Sequence, residues 1–324
     1  MSRKISSGKV TESLFIACVI LVASGAVFCQ SVPDGTSGLR AGVYVTDRTG
    51  RPVTGLAQED FEVSIGGSSV RITGCAEVDE PWSVLFVVDD SGSVQNDPRY
   101  GQVSRLWEKK IRELAETGNP GNEYGAIVFG QNVEEIMSWT PYSRDVFDRS
   151  LQRLHQDRKR KGSALYDAMN AATGLFGSAS RANRAIIVIG DGGESGSRLA
   201  SLKDLIKKLR THGIAVFTVN ILELFEDPIF PGADYTRAKV LSPVHYENIE
   251  RYEKLARETG GIGISAKKGE DIDSIFQVLG YALRSRYRIS VEPIKADREL
   301  KIRLISRNPV LKKLDLVVSY RVEK

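Results

Sequence analysis

The 324-residue sequence predicts an α/β fold: a doubly wound, mostly parallel sheet flanked by helices, with an additional β-sandwich built from N- and C-terminal segments. Three observations carry this reading. Wholly apolar runs such as VLFVVD and AIIVIGD alternate with amphipathic stretches of helical period. Such runs lack polar alternation, which fits strands covered on both faces of a parallel sheet. Toward each end of the chain the strands instead alternate apolar and polar residues, the mark of a sheet with one buried face.

The first 29 residues stand apart. Arg3, Lys4 and Lys9 precede the apolar run LFIACVILVASGAVFC, residues 14–29. That run is shorter than the ~20 residues a membrane span needs, and it follows a basic n-region, so residues 1–29 read as a signal peptide. The chain is then secreted, or periplasmic or otherwise in the cell envelope, and it touches a membrane only through the leader if that stays uncleaved. Removing three basic residues and one acidic residue lowers the formal charge from +4 to +2. So small an excess argues against nucleic acid as a partner. Removing the leader also takes Cys18 and Cys29 and leaves Cys75 alone, so no internal disulfide is expected.

QSVPDGTSG, residues 30–38, reads as a linker, and residues 39–78 as an N-terminal β segment with strands at 43–45, 61–65 and 70–72. The α/β part runs over residues 82–285. Its first strand is SVLFVVD (83–89). A helix from about Pro98 follows, with Val103, Trp107, Ile111 and Leu114 on one face. YGAIVFG and VEEIMSW flank Gly-Gln-Asn as a hairpin. Helices are expected at 143–155 and 164–176, then strand AIIVIGD (185–191), a helix around Leu202–Leu209, and strand IAVFTVNI. After an irregular stretch at 223–247 come helix 248–258, strand GIGIS and helix 270–285. Residues 286–324 return to alternating strands, expected to pack with 39–78.

Two apolar strands end in carboxylates, Asp89 and Asp191. In an open parallel sheet, ligands bind at the carboxyl ends of strands where the strand order reverses. Ser91 and Ser93 follow Asp89 closely, and Ser163 opens the helix at 164–176. Three hydroxyls and two carboxylates, with no imidazole or thiol, form a hard oxygen donor set. It suits Mg²⁺ first, with Mn²⁺ or Ca²⁺ also compatible. Asp90 is expected to be solvated or bonded locally to backbone.

DDSGS within VVDDSGSV resembles the Asp-x-Ser-x-Ser motif of the von Willebrand factor type A domain. KGSALYDAM resembles that family's Thr-containing loop, and IIVIGDGGES its downstream aspartate strand. The flanks GLAQEDFEVSIGGSSVRI and LRSRYRISVEP resemble the exported acidobacterial VWFA-related proteins. The resemblance implies a metal-ion-dependent adhesion site at Asp89, Ser91, Ser93, Ser163 and Asp191, with Ser163 standing where the family usually has Thr. It implies a protein or matrix-like partner with an exposed carboxylate and does not imply catalysis, so no enzymatic activity is expected. An envelope scaffold or assembly protein, its sandwich making the main contacts and its metal only structural, is the alternative reading.

Other motifs carry less. No HExxH, paired-Cys or GxSxG pattern occurs. The basic run HQDRKRKGS, residues 155–163, reads as a solvated loop or a basic rim beside the metal.

Overall fold

A computed structural model describes residues 38–47, 51–95, 100–155, 162–198, 201–221, 243–265, 272–292, 300–305 and 316–323. The expected leader, the start of the helix near Pro98, most of the basic run and most of the 223–247 stretch lie outside these residues.

The central sheet contains β5 (Trp82–Asp89), β6 (Glu123–Phe129), β7 (Val133–Pro141), β8 (Asn183–Gly190), β9 (Ile214–Asn220) and β10 (Gly263–Ser265), in the order β10-β9-β8-β5-β6-β7. All pairings are parallel except the β6–β7 hairpin. From β5 the chain moves outward to β6 and β7, then returns to place β8 on the other side of β5. The strand order therefore reverses between β5 and β8, so the crevice lies at their carboxyl ends.

Every residue of β5, β6 and β9 is buried. Helices cover both faces. On one, α2 (Tyr100–Glu116) and α7 (Ile272–Arg284) pack Trp107 on Phe276, ring centroids 6.2 Å apart. On the other lie α4 (Leu165–Leu175), α5 (Leu202–Thr211) and α6 (Pro243–Thr259), burying Met169, Leu209 and Leu255. The stripe expected from Trp107, Ile111 and Leu114 is buried, as are Leu165, Ala168, Met169 and Ala172.

The terminal segments interleave. One antiparallel sheet runs β13-β1-β11-β4, from Val317–Glu323, Arg40–Thr46, Arg286–Val291 and Ile72–Val78. The other runs β12-β2-β3, from Leu300–Leu304, Phe61–Ile65 and Ser68–Val70. Val43, Val63, Ile289 and Ile302 fill the space between them. The 70–72 strand expected from VRI divides instead. Val70 ends β3 and Ile72 starts β4 in the opposite sheet, so the chain switches sheets at Arg71, and β4 continues past the free, half-buried Cys75 to Val78. On the outer face of β1, Tyr44 meets Phe217 of β9 edge-on at 5.7 Å, joining sandwich to α/β core. Among the described residues no helix is long and apolar enough to cross a membrane.

Candidate metal centre at the carboxyl ends of the central strands

β5 ends at Asp89, but its ladder with β6 extends one step further: the Asp90 N–H donates to Phe129 O at 2.7 Å. Asp90 is thereby drawn inward to 1% exposure, which rules out the solvated position, one of the two expected for it. The chain then turns sharply. Asp89 Oδ1 accepts the Ser91 N–H at 2.8 Å, a local carboxylate turn of the kind aspartate favours. A single helical turn, α1 (Gly92–Gln95), follows and carries Ser93. No periodicity announces so short an element, and it is what folds the second hydroxyl back over the strand end.

The five candidate residues are brought to one crevice in two groups. Ser91 Oγ lies 3.0 Å from Ser93 Oγ, and Ser93 Oγ donates to Asp191 Oδ2 at 2.8 Å. Asp191 repeats the local turn of Asp89, its Oδ1 accepting the Gly193 N–H at 2.7 Å. Ser163 is one residue removed: its hydroxyl donates to Gly193 O at 2.8 Å, so it braces the Asp191 loop and bonds neither carboxylate directly.

Close approach of β5 and β8 sets the spacing. A Cβ on Gly190 would stand 2.6 Å from Asp89 Cβ, 2.9 Å from Asp89 Oδ2 and 2.7 Å from the Tyr252 hydroxyl. Only glycine leaves room there. Asp89 and Asp191 are 2% and 7% exposed. Burial, and then the neighbouring Asp191 charge, push the Asp89 carboxyl well above its ordinary range; the bonds from Ser91 only partly offset this. Burial and the same two carboxylates push the Tyr252 phenol up as well.

Asp89 Oδ2 is buried and has no hydrogen-bond partner among the described residues. An acceptor in that state, beside a second carboxylate, is costly unless a cation satisfies it. The surrounding donors are carboxylate and hydroxyl oxygens, so the residues fit a hard divalent ion. Ser93 is exposed while Asp89 and Ser91 are buried, so the crevice opens to solvent at Ser93.

Residues missed in the sequence hold this loop. Glu194 accepts the Tyr166 N–H at 2.9 Å, the Gly196 N–H at 3.1 Å, and the Ser197 N–H and hydroxyl at 2.8 and 2.7 Å. It caps the start of α4 and ties the 193–197 loop to the segment bearing Ser163. Arg251 of α6 donates to Gly192 O at 2.5 Å and to Asn248 Oδ1 at 2.8 Å. Gly192, at φ +72°, sits against Asn248, whose backbone oxygen is 2.7 Å from where a Cβ would be. GDGGES shows a loop, but nothing local marks its glutamate as a helix cap for a segment nearly thirty residues upstream.

Residues 83–240 match the von Willebrand factor type A domain. No curated protein matches the chain. Several solved structures are similar. A von Willebrand factor type A protein from Catenulispora acidiphila is 9% identical, with 89% of this chain and 75% of that one covered and a TM-score of 0.49. An aerotolerance-related membrane protein from Bacteroides fragilis is 20% identical over 62% and 98% of the two chains, TM-score 0.44. Proximal thread matrix protein 1 from the mussel byssus, with a zinc-occupied MIDAS motif, is 16% identical over 68% and 49%, TM-score 0.44. The matched span holds β5, β6, β8 and β9 and every one of the five candidate residues, and the chain thus carries a von Willebrand factor type A domain.

Proposed function

We propose that this chain is an exported, metal-dependent protein-binding module that engages an acidic group of a protein or matrix partner through Asp89, Ser91, Ser93, Ser163 and Asp191. The observation that carries the reading is the buried Asp89 Oδ2 beside Asp191, unbonded among the described residues. Asp89 and Asp191 supply the two negative charges that a divalent cation balances. Ser91 and Ser93 add neutral oxygens, so the site gains ligands without gaining further negative charge. Ser163, through Gly193, holds the Asp191 loop in place. When bound, Mg²⁺ or Mn²⁺ supplies the positive charge that an incoming carboxylate needs. The exposed Ser93 marks the side from which that group arrives. The apolar run at residues 14–29 supports export.

The test is calorimetric titration of Mg²⁺ and Mn²⁺ into the metal-stripped protein, with Asp89→Ala alongside. Saturable one-site binding that vanishes in Asp89→Ala is expected. Equal binding by wild type and variant would place the metal elsewhere, and absence of binding in the wild type would defeat the proposal.

A further inference from the structure

We propose a second binding site, for a small soluble molecule bearing clustered phosphate-type oxyanions, at the end of the central sheet opposite Asp89 and Asp191. A cavity of about 920 Å³ lies there, where the sandwich meets the α/β core. Its described lining contains five arginines, Arg40, Arg181, Arg184, Arg288 and Arg321, against one carboxylate, Glu80. They come from β1, from the approach to and start of β8, from β11 and from β13. β8 rises about 3.3 Å per residue, so its eight residues put the cavity roughly 25 Å from Asp191. The two sites are separate.

Hydrogen bonds to described residues orient several of these guanidinium groups. Glu80 accepts from the lining Arg288 Nη1 at 2.8 Å and from Arg286 Nη2, outside the lining, at 3.0 Å. Arg321 bonds the neutral oxygens Asn183 Oδ1 at 3.2 Å, Arg184 O at 3.4 Å and Gly213 O. The Nε–H groups of Arg181 and Arg184 are buried without an acceptor among the described residues. Buried donors of this kind call for a partner. A concave wall whose described charges are five cations and one carboxylate favours an anion, and the guanidinium fork matches phosphate oxygens two at a time.

Size and aromatic placement narrow the class. The volume is at the upper end of small-molecule pockets, a few hundred to about 1,000 Å³, and exceeds what a lone phosphate fills. Arg286 and Arg321 both stack on Trp82, at 4.8 and 4.9 Å from its ring centroid. The indole thus offers no face to a nucleobase, and recognition falls on the charged groups rather than on stacking, unlike a single-strand nucleic-acid groove.

The experiment is titration of inorganic pyrophosphate into the full chain in metal-free buffer, followed by calorimetry and thermal melting. Saturable one-site binding with a raised melting temperature is expected, at least about tenfold tighter than inorganic phosphate. Ala182→Glu places a negative charge on the exposed rim, so it should weaken pyrophosphate by about tenfold or more yet leave the ligand-free melt and the Mg²⁺ titration unchanged. Arg181→Gln with Arg184→Gln should weaken it similarly. Non-saturable binding, or equal binding by Ala182→Glu, would overturn the proposal. So would association with phosphatidic acid vesicles without any pyrophosphate binding, since that would make the ligand a lipid surface.

Discussion

Asp89 decides how the metal-free protein responds to pH and to substitution. Its Oδ1 is satisfied by the Ser91 N–H, while Oδ2 has no partner among the described residues and faces the field of Asp191. Asp89→Asn keeps the acceptor for Ser91 and removes the repulsion. The metal-free variant should therefore be more stable than wild type by on the order of 1–3 kcal/mol, read as a higher melting temperature. Mg²⁺ should stabilise wild type and leave the variant unmoved. The pH dependence has a definite sign. The folded, metal-free carboxyl titrates above its unfolded value, so over that interval the native state binds more protons than the unfolded chain. Metal-free stability therefore falls as pH rises through the window above the ordinary carboxylate range. Metal binding needs the ionised form, so affinity should rise over the same window with release of a proton. Mg²⁺ titrations near pH 5 and near pH 8, in buffers of different ionisation enthalpy, measure both effects. A pH-independent affinity would contradict the assignment of Asp89.

Among the elements, α4 and the loop after β8 are bound into one unit by Glu194. The carboxylate caps α4 through Tyr166 N and fixes the loop through Gly196 and Ser197. Ser195 N and Gly196 N in turn donate to Ser163 O at 2.8 and 2.9 Å. Losing a cap of this kind costs about 0.5–2 kcal/mol. Glu194→Ala should lower stability by about that amount, measured by urea unfolding, and weaken Mg²⁺ by several-fold because Ser163 and Gly193 lose their shared anchor. Unchanged metal affinity alongside reduced stability would show that the loop holds its position without the cap.

Across the whole molecule, the α/β core and the sandwich are joined around Trp82. The indole is 1% exposed, with the Arg286 and Arg321 guanidinium groups on it, and Glu80 accepts from Arg286. Trp82→Ala should cost about 3–5 kcal/mol and lower the melting temperature by roughly 10 °C. Burial raises the Glu80 carboxyl, but bonds to Arg288 and Asn183 and the charges of Arg288 and Arg286 outweigh it and hold the group at about 2. A depressed carboxyl contributes stability above its unfolded value and loses it on acidification. The junction should thus weaken as pH falls from about 4.5 toward 2. Glu80 is partly exposed, so solvent screening reduces this to about 1–2 kcal/mol. Glu80→Gln should flatten the acid limb of the stability profile by that amount.

What the sequence by itself determined is local and periodic. Apolar runs without alternation marked β5, β6, β8 and β9, alternation marked the sandwich strands, and carboxylates at two run ends, with hydroxyls just beyond the first, marked the crevice. Each of these signals lies within a dozen residues, where backbone period and turn chemistry act. Tertiary structure alone decided the rest. Asp90 is buried because the β5–β6 ladder runs one bond past Asp89. Ser163 braces Gly193, and Glu194 caps a helix nearly thirty residues upstream, because β8 lies beside β5. Arg40, Arg184, Arg288 and Arg321 share a cavity only because three strands of the sandwich close over the lower end of the sheet. Contacts of this kind depend on strand order and on which charges can be buried together, and no local period records either.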